Sequence, residues 1–108
     1  MHFTIMKHPK EALEVMSILR RSKKLCDVTL IAQEERILAH KIVLAAASPY
    51  FKAMFTSGMR EEDMSVIPLH GISPCTLSRL VEFAYTAEVN INETNVCYLL
   101  PAATMFQV

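Results

Sequence analysis

Between Cys26 and Met64 the hydrophobic period of the chain changes once, and that change confines the fold more than any other feature. Val28 and Leu30, with Thr29 and Ile31 beside them, read as a strand. Residues 36–40 read as its hairpin partner across Gln33-Glu34-Glu35. From Lys41 the spacing of Ile42, Leu44 and Ala45 becomes helical, with small residues that allow close packing. Ser48-Pro49 then closes one helix and opens the next: a capping hydroxyl is followed by a proline where the first helical turn tolerates it. Phe51, Met54 and Phe55 give this helix an apolar face, and Gly58 ends it with a left-handed cap. One strand pair therefore feeds two short helices, and an acidic loop follows with Met59 set just before the Glu61 carboxylate.

The flanks are helical with brief extended pieces. Pro9 suits a first helical turn, and Glu11 and Glu14 suit the positive end of the helix dipole. Leu13, Val15, Met16, Ile18 and Leu19, with Ala12, cover so much of this helix that it requires two contact surfaces. Met64 to Leu69 alternates as a short edge strand, where Pro68 is tolerated. Ser73-Pro74 opens a helix carrying Leu77, Leu80, Val81, Ala84 and Tyr85. Val89 and Ile91 read as a last short strand. A helix capped by Asn92 and kinked at Pro101 runs to the end of the sequence.

At 108 residues the chain is one domain, and 52% hydrophobic content is high for its size. Apolar surface in excess on a small domain usually goes into a partner. Net charge is zero, which argues against a nucleic-acid footprint. Residues 1–24 nevertheless hold six Lys or Arg against two Glu, while the remainder holds five against nine acids. The odd cysteine count, with no Cys-x-x-Cys pair, fits a reducing compartment: the cytoplasm, with the nucleus as second choice. No apolar run is long enough to span a membrane. No phosphate loop, nucleophile elbow or metal-ligand spacing occurs, so an enzyme, a cofactor and a metal are not expected.

Five pieces in order, Leu-Cys-Asp-Val-Thr (25–29), Ala-His-Lys-Ile-Val-Leu-Ala (39–45), Ser-Pro-Tyr-Phe-Lys-Ala-Met-Phe-Thr (48–56), Phe-Ala-Tyr-Thr-Ala (83–87) and Leu-Leu-Pro-Ala-Ala (99–103), resemble the BTB/POZ domain of the Kelch-like proteins. The wording of Phe-Lys-Ala-Met-Phe-Thr and Gly-Met-Arg-Glu is nearest to the family's stress-sensing branch. The resemblance implies an α+β BTB/POZ fold, a cluster of short helices flanked by a small mixed sheet, over residues 7–108 after an extension of residues 1–6. It implies a homodimer that docks cullin-3 as the substrate adaptor of a ubiquitin ligase, with oxidative-stress regulation as its setting. Neither nucleic acid nor membrane is an implied partner. The cullin-docking signature corresponds to Met59-Arg60-Glu61, with Met54 and Tyr98 beside it; Phe51 is expected in the core.

For the dimer, the resemblance points to Leu13, Met16, Ile18 and Leu19 of the first helix, to Ser48, and to a charged pair of Asp27 with Lys41. A local ion pair within the chain is the other reading of those two charges. His40 reads as a satisfied structural histidine and Cys26 as a core filler. The reactive thiol of the stress-sensing branch corresponds to Asn95 here, which leaves Cys97, two residues on, as the candidate thiol. The closing BTB helices, the helical BACK region and the substrate-reading Kelch propeller are not in these 108 residues, so the C-terminal helices are expected to be incomplete and the chain only marginally stable. A substrate protein would be reached only through such a further domain. Two alternatives stay open: the BTB domain of a transcription regulator, and a fragment that dimerises and does nothing more.

Overall fold

The computed structural model describes residues 1–58 and 63–88. Within them the chain runs α1 (His8–Arg21), β1 (Val28–Ala32), β2 (Glu35–Ala39), α2 (Lys41–Ala47), α3 (Pro49–Thr56), β3 (Val66–Leu69) and α4 (Pro74–Thr86). This is an α+β arrangement. The three strands form a mixed sheet in the order β2-β1-β3, with β1 antiparallel to β2 and parallel to β3. Pro68 lies on the edge strand β3 opposite Ile31, so its missing N–H leaves the centre of the sheet intact.

The hairpin loop is shorter than its sequence suggests. Ala32 pairs with Glu35, leaving Gln33-Glu34 as a two-residue turn. Gln33 takes a φ of +55°, the left-handed value that such turns require. His40, expected at the end of β2, has left the strand and precedes α2.

Helix boundaries follow side-chain chemistry. The Ser48 hydroxyl accepts from the Phe51 backbone N–H at 3.3 Å to cap α3, and the Ser73 hydroxyl accepts from Thr76 N–H at 3.2 Å to cap α4. Gly58 follows α3 at φ +73°. α1 ends differently. Lys23 N–H donates to Arg20 C=O at 3.0 Å and Lys24 N–H to Leu19 C=O at 2.8 Å, the paired bonds of a Schellman motif. Its left-handed position, where glycine is usual, holds Lys23 at φ +58°. A non-glycine residue there costs about 1–2 kcal/mol.

The core lies between the sheet and the helices α2 to α4. Val28, Leu30 and Ala39 from the sheet, Leu44, Phe51 and Phe55 from α2 and α3, and Leu77, Val81 and Tyr85 from α4 are all buried. Phe51 and Phe55 stack at 5.9 Å between ring centroids. Among the described residues no helix is long and apolar enough to cross a membrane. The last strand at Val89 and Ile91, the helix from Asn92 and its Pro101 kink lie outside the described residues.

Candidate protein-interaction surface

α1 is amphipathic, yet the described fold covers little of it. Of its fourteen residues only Ser17 is fully buried. Val15 and Ile18 are 55% and 56% exposed, Met16 is exposed, and Leu13 and Leu19 are half-buried. One basic side chain ties the helix to α4. The Arg20 guanidinium pairs with the Glu82 carboxylate and lies 4.9 Å from the centre of the Tyr85 ring.

Tyr85 joins that contact to the rest of the fold. Its hydroxyl accepts from the His40 backbone N–H at 2.8 Å and donates to His40 Nδ1 at 2.6 Å. His40 Nε2 donates to the Lys24 carbonyl at 2.9 Å, a bond that sets the tautomer. Every polar atom of His40's ring is thus bonded, which makes it a structural histidine. Burial pushes the Tyr85 phenol up to about 12, against the lowering effects of the His40 hydrogen bond and of Arg20. Cys26 lies 3.7 Å from His40 Nε2. Burial pushes its thiol up as well, with Arg20 acting the other way, a direction opposite to the lowered value that marks a reactive thiolate.

An apolar groove of about 350 Å³ opens where α1, α2 and α4 meet, with Leu13, Met16, Ile42, Ala46, Phe83 and Ala87 among its walls. Ile42, 75% exposed, forms its outer lip. Small residues from α2 and α4 let the floor come close to the helix axes. The sequence reading used Ile42 only to mark the helical spacing of α2 and named neither it, Ala46 nor Phe83 as an interaction residue. The i, i+4 pair Ile42–Ala46, on one face of α2, was the available signal.

The expected dimer residues fall in different places. Leu13 and Met16 line this groove, and Ile18 is exposed further along α1. Ser48 is buried beneath the surface and occupied by its capping bond. Asp27 and Lys41 do meet, through the backbone: Asp27 Oδ1 accepts from the Lys41 N–H at 2.7 Å and caps α2. The Lys41 ammonium lies 5.4 Å from the centre of the Phe55 ring. Met54 is half-buried against the core. Met59, Glu61, Tyr98 and Cys97 lie outside the described residues. Among the described residues no group of three or more His, Cys, Asp or Glu is placed to hold a metal ion.

A chain with this order of elements and an uncovered apolar helix is similar to known interaction domains. The family profile of the BTB/POZ domain matches residues 16–108. Kelch-like ECH-associated protein 1B of zebrafish (Danio rerio) is 42% identical over a 112-residue alignment that covers 98% of this chain and 19% of that protein. The chain thus spans about a fifth of the length of this relative. Among solved structures, the BTB domain of zebrafish PATZ1 superposes with a TM-score of 0.89 at 31% identity, over 99% of this chain and 86% of that one. Profile, relative and fold agree on one answer, and the chain belongs to the BTB/POZ domain family.

Proposed function

We propose that this protein-interaction domain forms a homodimer through α1 and serves as the cullin-3-docking part of a ubiquitin-ligase adaptor. The observation that carries the first half is the helix with five large apolar side chains and only Ser17 fully buried. In water such a face is stable only against another surface. A symmetric pairing would place Leu13, Met16 and Ile18, with Ile42 at the groove's lip, against the same residues of a second copy.

The cullin-3 half is supported by the 42% identity to Kelch-like ECH-associated protein 1B and by the Met59-Arg60-Glu61 sequence after α3. Met59 would fill an irregular apolar groove and Glu61 would accept charge-assisted bonds there, with Met54 and Tyr98 at the border. The adaptor itself would do no bond chemistry and would act by raising effective concentration. Stress regulation would fall to Cys97, two residues from the position of the reactive thiol in the family's stress-sensing branch. Its compartment would be the cytoplasm.

The fold likeness to the BTB domain of zebrafish PATZ1 favours a second reading, the dimerising BTB domain of a transcription regulator. Calorimetric titration with the N-terminal domain of cullin-3 separates the two. The adaptor reading expects tight binding that Glu61→Ala weakens at least tenfold. A folded dimer that gives no heat with cullin-3 rules that reading out and leaves the second. Sedimentation of Met16→Glu checks the dimer: a monomer is expected, and a dimer unchanged by the substitution refutes the α1 interface.

A further inference from the structure

The turn after α1 combines two features, the first of which exceeds what the helix end requires, since the Schellman motif accounts for a left-handed Lys23 but not for Leu25. Lys23 and Leu25 both adopt left-handed φ angles, +58° and +61°, where a bulky side chain is a conformational outlier. Between them Lys24 is fixed on both sides, its N–H on the Leu19 carbonyl and its C=O on His40 Nε2. The turn is therefore rigid, held by the same His40–Tyr85 network that organises the core. Strained residues that persist because their surroundings hold them are concentrated at binding and catalytic sites.

The second feature is what this turn presents. A Schellman motif usually turns an apolar side chain back onto its helix. Here the position that would do so is Lys24, and the apolar Leu25 follows in the second left-handed conformation, 80% exposed. Lys23 and Lys24, both exposed, precede it, while the Arg21 guanidinium turns back along α1 onto Ser17. The chain has no carboxylate from Val15 to Cys26, and the next one, Asp27, spends an oxygen on the cap of α2. A rigid apolar knob beside two cations has a definite complement.

We propose that the Lys23-Lys24-Leu25 turn is a docking surface for an acidic peptide segment that carries one large apolar side chain between carboxylates. The apolar side chain packs on Leu25, and the carboxylates pair with Lys23 and Lys24, which also steer the approach. A lipid surface fits less well, because membrane binding calls for a broad apolar face and the turn offers a single leucine. This surface is separate from the α1–α2–α4 groove and does not depend on what covers that groove.

The test is selection of a phage-displayed library of random twelve-residue peptides on the immobilised full chain. Enriched peptides are then synthesised and their affinity measured by fluorescence anisotropy. Peptides with Leu, Phe or Met flanked by at least two Asp or Glu are expected. Their binding should weaken at least tenfold with Leu25→Ser and with Lys23→Glu, and at least tenfold again on raising salt from about 50 to about 500 mM. Arg36→Ser, an exposed cation at the turn end of the β1–β2 hairpin, should leave it unchanged, and circular dichroism should give each variant the wild-type fold. Peptides that lack the acidic-apolar pattern, or that bind the Leu25→Ser chain as well as wild type, overturn the proposal. So does a Leu25-dependent interaction found instead with phosphatidylserine vesicles or with a second copy of the chain.

Discussion

The sheet with α2, α3 and α4 and the first helix solve the burial problem in opposite ways. In the former, counting Ile72 in the loop before α4, fifteen hydrophobic residues are buried among the described residues, and Phe51 and Phe55 of α3 stack against each other. In α1, large apolar side chains occur at similar density, yet the one fully buried residue is a serine. The core region is stabilised by its own packing, whereas α1, paired to α4 through Arg20, leaves much of its apolar face uncovered by the described residues. The largest test of that division is Leu77→Ala, which empties a fully buried site in α4. It should cost about 3 kcal/mol. Urea unfolding should register that loss equally at low and high protein concentration.

The Tyr85–His40–Lys24 network is where the two regions meet, and it gives the next effect. Tyr85→Phe leaves the His40 N–H and Nδ1 without their partner in a buried place, a loss of about 2 kcal/mol. It also has a pH signature. The Tyr85 phenol titrates near 12 in the folded chain and near 10 unfolded. The folded state holds the proton more tightly, so this contribution is complete below about pH 10 and is lost as pH rises through about 12. In Tyr85→Phe that part of the alkaline decline in stability disappears; matching wild-type and variant curves above pH 10 would refute it.

Much of the core was legible in the sequence because its boundaries are made by local chemistry. Ser48-Pro49 and Ser73-Pro74 mark helix starts through a hydroxyl and a ring within four residues, and Gly58 marks an end through its φ. What was not legible depends on distance or on strain. Asp27 caps α2 from fourteen residues away, where the sequence suggested only a charge pair. The link from Tyr85 to His40 crosses 45 residues. The left-handed Lys23 and Leu25 leave no mark at all, because the glycine that would announce them is absent. Of the candidate interaction surface, Leu13 and Met16 were visible from their helical spacing, while Ile42 and Phe83 join them only through the packing of α2 and α4.

That hidden strain supplies a smaller effect, with the opposite sign. Lys23→Gly places at the end of α1 the residue best suited to a left-handed angle, and should stabilise the chain by about 0.5–1 kcal/mol. Thermal melting reads it directly. A lower melting temperature would mean that the lysine side chain contributes more to the fold than its backbone costs, and would remove the reason to look for a role elsewhere.

The smallest effect on the isolated fold is expected at Ile18→Gln, and its smallness is the point. Glutamine is a good helix former, and Ile18 is more than half exposed. In dilute solution the substitution should therefore shift stability by no more than about 0.5 kcal/mol. At higher concentration the comparison changes. If α1 pairs with a second copy, the wild-type melting temperature rises with concentration, because only the folded chain associates. The Ile18→Gln chain loses that rise, so the gap between the two proteins widens as concentration increases. A cost that is large and independent of concentration would instead place Ile18 in the core's own accounting and erase the distinction between the two regions. A gap that grows with concentration assigns the exposed face of α1 to the partner.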